Sequence, residues 1–108
     1  MEPIDEKLFV EHGVDVTFVT FNHKEILSEQ YVKELEKEIM SVVGRARREN
    51  MVLDFCNVKF MTSAFLGLLV KMRNRIRERG GYLKLRNIDP SIHKIFKITG
   101  LTKVFDIS

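Results

Sequence analysis

Val52-Leu53-Asp54-Phe55-Cys56-Asn57-Val58-Lys59-Phe60-Met61-Thr62-Ser63-Ala64-Phe65-Leu66-Gly67-Leu68-Leu69 reads as a buried strand, a short loop and the mouth of an amphipathic helix. The run from Asn50 to Phe55 is short and apolar, and lies between two stretches of helical periodicity. That placement predicts a fully buried, parallel strand. Beyond the loop, Leu66, Leu69, Val70 and Ile76 form one helical stripe, widened by Phe65, Leu68 and Met72. Gly80-Gly81 closes the helix as C-terminal glycines do.

Upstream, Lys7-Leu8-Phe9-Val10-Glu11-His12 and Asp15-Val16-Thr17-Phe18-Val19-Thr20-Phe21 are rich in β-branched and aromatic residues. They predict a hairpin whose second strand, apolar on both faces, is interior. Ser28 is the expected N-cap of a helix over residues 29–46, with Val32, Leu35, Ile39, Val42 and Val43 on its buried stripe. Gly44 falls near its end, and Arg45-Ala46-Arg47-Arg48 suits the negative end of the helix dipole. Downstream, Tyr82-Leu83-Lys84-Leu85-Arg86 alternates as a strand. Asp89 and Pro90 then open a short helix through Ile92, Ile95, Phe96 and Ile98, ended by Thr99-Gly100. Residues 103–107 predict a closing strand. The order β-β-α-β-α-β-α-β implies an α/β domain with one mixed, mostly parallel sheet carrying helices.

The 108 residues match one domain over residues 1–108, and 44% apolar residues suffice for one core. The single cysteine, Cys56, excludes an intramolecular disulfide and favours a reducing, cytoplasmic setting. The N-terminal residues lack the pattern of a signal peptide, and no segment reaches the length of a membrane span. A formal charge of +3 is a weak basic bias. Arg73 and Arg77 fall on a different helical face from Arg75 and Arg79, so a solvated helix is expected there and not a nucleic-acid surface.

Enzyme signatures are scarce. No glycine-rich phosphate loop occurs, and His12, His23 and His93 show no metal-ligand spacing, so neither cofactor nor metal is expected. Ser63 lacks the glycine-flanked elbow of a hydrolase nucleophile. Cys56 reads as a small, partly buried filler, and Asp54 as an acceptor for the loop that follows it. A hydroxyl pair, Thr62-Ser63, stands at the helix mouth. One of the two is the expected N-cap, worth about 1 kcal/mol. The same position favours negative charge, so a phosphate on Ser63 would be compatible with the helix.

Residues 53–67, together with Gly80-Gly81-Tyr82-Leu83-Lys84-Leu85 and residues 95–107, resemble STAS domains of the anti-sigma factor antagonist family. The resemblance implies a non-enzymatic bacterial regulator. In that family the unphosphorylated protein binds an anti-sigma factor, which is itself a serine kinase using ATP; phosphorylation breaks the complex and a serine phosphatase resets it. Ser63 aligns with the phosphorylated serine. The implied partner surface is Asn22, His23, Lys24, Thr62, Ser63 and Phe65. Thr62 stands where the family has Asp, and Phe65 where it has Gly. Phe65 therefore either joins the core or protrudes as an anchor, and Thr62 is a potential competing acceptor. A STAS interaction or assembly module that is never phosphorylated is the alternative these departures raise. Val104 and Ile107, near Ser108, are expected beside an uncovered apolar surface favouring a weak homodimer.

Overall fold

The computed structural model describes residues 7–43 and 50–107. Gly44, the Arg45-Ala46-Arg47-Arg48 run and Ser108 lie outside them. The elements run β1 (Leu8–His12), β2 (Thr17–Phe21), β3 (Glu25–Ile26), α1 (Glu29–Val43), β4 (Asn50–Asp54), β5 (Phe60–Met61), α2 (Ser63–Glu78), β6 (Tyr82–Arg86), α3 (Pro90–Ile98), a 3-10 turn (Leu101–Lys103) and β7 (Asp106–Ile107).

Five strands form the main sheet in the order β1-β2-β4-β6-β7. β1 pairs antiparallel with β2, and every other pairing is parallel. The hairpin, the interior position of β2 and the buried parallel β4 follow the sequence pattern. Two elements differ from it. The closing strand is only Asp106–Ile107, because a 3-10 turn takes up Leu101–Lys103. In addition, β3 and β5 pair in parallel as a separate two-stranded ribbon, with Glu25 opposite Phe60 and Ile26 opposite Met61.

The strand order never reverses direction, so right-handed crossovers place successive helices on the same side of the sheet. Burial agrees. Val32, Leu35 and Ile39 of α1, Phe65, Leu69, Met72 and Ile76 of α2, and Ile92 and Phe96 of α3 share one buried cluster with Val19, Phe21, Met51, Leu53, Leu83 and Leu85 of the sheet. Phe9, Phe18, Val52 and Tyr82 project from the opposite face and belong to neither that cluster nor the residues packed on it. The domain is a two-layer α/β structure. None of the described helices is long and apolar enough to cross a membrane.

Helix ends are closed by the expected residues. Ser28 Oγ accepts the Tyr31 amide at 3.0 Å. The amide of Gly80, at φ +75°, donates to Arg77 and that of Gly81 to Ile76, the paired bonds of a Schellman motif. Asp89 accepts the Ser91 amide at 3.0 Å and the Ser91 hydroxyl at 2.7 Å, with Pro90 in the first turn. Val104 and Ile107, expected beside an uncovered apolar surface, are half-buried and pack against the core.

Asp89 also takes an ion pair from Lys59 at 2.9 Å. The Ser91 hydroxyl first, then Lys59 and the Ser91 amide, lower its pKa from 3.8 to about 2. A carboxylate whose folded value lies below its unfolded value stabilises the fold above the unfolded value and loses that contribution as pH falls. The stability difference between wild type and Asp89→Asn, measured by urea unfolding, is therefore expected to shrink as pH falls from about 4 through about 2. A difference independent of pH across that window would refute the assignment.

Candidate functional site

Loops leaving β2, β4 and β6 meet at the carboxyl edge of the main sheet, the edge at which open α/β sheets present binding groups. Asp54, at the end of β4, joins two of them. Its Oδ1 accepts the Cys56 amide at 2.9 Å and the Asn87 side-chain amide at 3.1 Å, while Oδ2 accepts Arg86 Nε at 3.1 Å. Burial pushes this carboxyl up, but the Cys56, Asn87 and Arg86 hydrogen bonds outweigh it and hold the group below its ordinary value. Asn87 sits at φ 57°, a left-handed conformation that Asn tolerates and that directs its side chain onto Asp54. Asp54 is thus an acceptor for the following loop, as its sequence position implied.

The loop after β2 is clipped to the loop after β4 almost entirely through backbone. Lys24 O accepts the amides of Lys59 at 2.8 Å and Phe60 at 3.1 Å, and Ile26 O accepts Thr62 N at 3.0 Å. Asn57 Nδ2 adds a bond to Phe21 O at 3.1 Å. The clip brings Asn22-His23-Lys24 alongside the segment that delivers Thr62 and Ser63. Asn22 and Lys24 are exposed, and His23 is half-buried against Tyr31, whose hydroxyl contacts His23 Nδ1.

Ser63 is the first residue of α2 and is exposed. Its hydroxyl makes no hydrogen bond among the described residues. The first turn of α2 carries no acidic side chain. Thr62 occupies the N-cap position with extended backbone, yet its side chain makes no cap bond, and its Oγ1 is buried without a partner among the described residues. Neither hydroxyl caps the helix, which corrects the cap reading.

Phe65 settles the choice between core and anchor. It is 0% exposed and forms an aromatic triad with Phe21, at 5.2 Å and 87°, and Phe55, at 6.0 Å and 55°. Buried beneath the helix mouth, it is withdrawn from the surface on which a partner contact was expected. In its place the structure exposes Leu27 and Phe60, each at 52%, on and beside the clip. Sequence reading passed over both, because two-residue strands leave no periodic pattern. Cys56, expected as a partly buried filler, is exposed. Partial desolvation first, and then the Asp54 carboxylate beside it, push its thiol above the ordinary value, so it carries little thiolate near neutrality.

Comparison with known proteins places this geometry in context. The model of the STAS domain matches residues 10–108. An anti-sigma F factor antagonist of Paenibacillus polymyxa is 29% identical over 65 residues, 60% of this chain and 56% of that protein. An anti-sigma-B factor antagonist of Bacillus subtilis (strain 168) is 38% identical over 52 residues, 48% of either chain. The alignment thus spans about half the length of these curated relatives. Among solved structures, an anti-sigma-factor antagonist (STAS) domain protein from Planctomyces limnophilus superposes with a TM-score of 0.85 at 23% identity, covering 93% of this chain and 87% of that one. At that identity what the two share is the fold.

Two stability measurements test the site. Phe65→Ala removes one ring of the triad and is expected to cost about 3–5 kcal/mol; a loss below about 1 kcal/mol in urea would place the ring outside the core. Thr62→Val replaces an unpaired buried hydroxyl by a methyl of the same shape, and is expected to be neutral or to stabilise by up to about 1 kcal/mol. A working cap would instead show a loss of about 1 kcal/mol.

Proposed function

The chain belongs to the STAS domain family, and on that premise we propose that it is an anti-sigma factor antagonist switched at Ser63. In this reading it is a cytoplasmic, non-enzymatic regulator. Its partner is an anti-sigma factor with serine kinase activity, which phosphorylates Ser63 from ATP, and a serine phosphatase restores the free hydroxyl. It touches neither nucleic acid nor membrane directly.

The observation that carries the proposal is the state of Ser63: exposed, without a hydrogen bond among the described residues, and first in a helix whose opening turn has no side-chain cap and no acidic residue. A phosphate there brings about two negative charges to the helix N-terminus, where the dipole favours an anion by about 0.3–1 kcal/mol. The fold therefore survives modification. What changes is the docking surface formed by Asn22, His23, Lys24, Ser63 and the exposed Leu27 and Phe60. Burying a dianion against a partner built for a neutral hydroxyl costs several kcal/mol, so the complex opens.

Incubation with the candidate kinase and labelled ATP is expected to label the wild type and to leave Ser63→Ala unlabelled. Equal labelling of the two sinks the assignment of Ser63. Ser63→Asp is expected to weaken binding to the anti-sigma factor on the order of 100-fold, about 2.7 kcal/mol, with a melting temperature at or above that of the wild type. Full affinity in that variant would refute control by charge and support a constitutive binding module.

A further inference from the structure

Among the described residues, the main sheet has helices on one face only. On the other, Glu11, Phe18, Val52 and Lys84 stand side by side on β1, β2, β4 and β6, each paired in register with the next. The central pair is apolar, with Phe18 half-buried and Val52 9% exposed, and the flanking pair is of opposite charge.

The charges at the middle of this face are neutralised within the chain. Arg86 pairs with Asp54 and lies across the Phe18 ring, with 5.1 Å from its guanidinium carbon to the ring centroid. The charges at the sides are held more loosely, with Lys84 Nζ 5.7 Å from the Tyr82 ring centroid. Glu11 is exposed and has no ion-pair partner among the described residues. Lys84 reaches Asp106 only at 4.0 Å, between side chains 48% and 63% exposed, a pair worth little. Phe9 and Tyr82, 54% and 43% exposed, lie at opposite corners of the same face.

This pattern is complementary to itself. A two-fold axis along the strands, midway between β2 and β4, lays β1 over β6 of a second copy and β2 over its β4. Glu11 then meets the second copy's Lys84 on both sides of the interface, and Phe18 meets Val52 at its centre. Such an aligned packing of two sheets is the geometry of a β-sandwich, with the same patch used by both copies. We propose that this uncovered sheet face is a self-association surface, and that its occupant is a second copy of the chain packed sheet on sheet. Four strand spacings of about 4.8 Å by five residues of about 3.3 Å give a footprint on the order of 300 Å² per copy. A stable interface buries about 800 Å² per partner, so the dimer is weak and forms at high local concentration. The face is opposite the core helices, which leaves the candidate Ser63 surface open in the dimer.

Sedimentation equilibrium of the purified chain between about 10 μM and 1 mM tests this, with an expected Kd on the order of 100 μM. Glu11→Lys and Lys84→Glu are each expected to weaken association at least about tenfold, because each sets like charges opposite one another twice. An equimolar mixture of the two variants should associate again, since each then presents the charge the other lacks. Each variant is first checked for a wild-type circular dichroism spectrum, so that the mixture reads charge complementarity and not folding. Phe18→Asp should be monomeric with an unchanged far-ultraviolet circular dichroism spectrum. A wild type that stays monomeric to about 1 mM, a mixture no more associated than its components, or a dimer that survives Phe18→Asp would each overturn the proposal; the first would also leave the face to a different protein.

Discussion

The buried carboxylate of Asp54 is the constraint from which the candidate site follows. A charge in a half-closed edge of a sheet is tolerated only where donors surround it, and here the donors come from two loops and a neighbouring strand. The Cys56 amide ties down the turn after β4. Asn87, in an uncommon backbone conformation, ties down the turn after β6, and Arg86 closes the remaining oxygen. The segment that carries Ser63 thus departs from a point held by three different residues, and a second tie between Lys59 and Asp89 binds it to the start of α3.

Much of this was legible in the sequence, and the reasons are specific. β4 announced itself through an uninterrupted apolar run between helical patterns, and the buried stripes of α1 and α2 through their spacing. Ser28, Asp89-Pro90 and Gly80-Gly81 marked ends by backbone chemistry that does not depend on tertiary context. Asp54 was read as a local acceptor because a strand-end Asp faces the amides of its own loop. The ribbon of β3 and β5 could not be seen in this way. Its pairing joins segments distant in sequence through backbone atoms, and backbone atoms carry no residue code.

The two departures from the family signature turn out to be different in kind. Phe65 compensates for its bulk by completing a ring cluster with Phe21 and Phe55, so it adjusts the packing beneath the helix mouth and does not alter the surface. Thr62 faces inward with an oxygen that finds no partner among the described residues, which makes the helix mouth electrostatically plainer than a carboxylate there would. Neither outcome could be chosen from residue type alone, since both depended on the rotation of α2 about its own axis. That rotation is set by the whole stripe of Leu66, Leu69, Met72 and Ile76.

The backbone clip between β3 and β5 separates the shape of this edge from its chemical identity. Because Lys24 and Ile26 hold the opposing loop through their carbonyl oxygens, the hydrogen bonds that join the loops do not depend on the outward side chains at Lys24, Glu25, Leu27 and Phe60. A gene duplication could recolour that rim residue by residue while the mount behind it stayed intact. New surfaces can evolve in this way without passing through an unfolded ancestor.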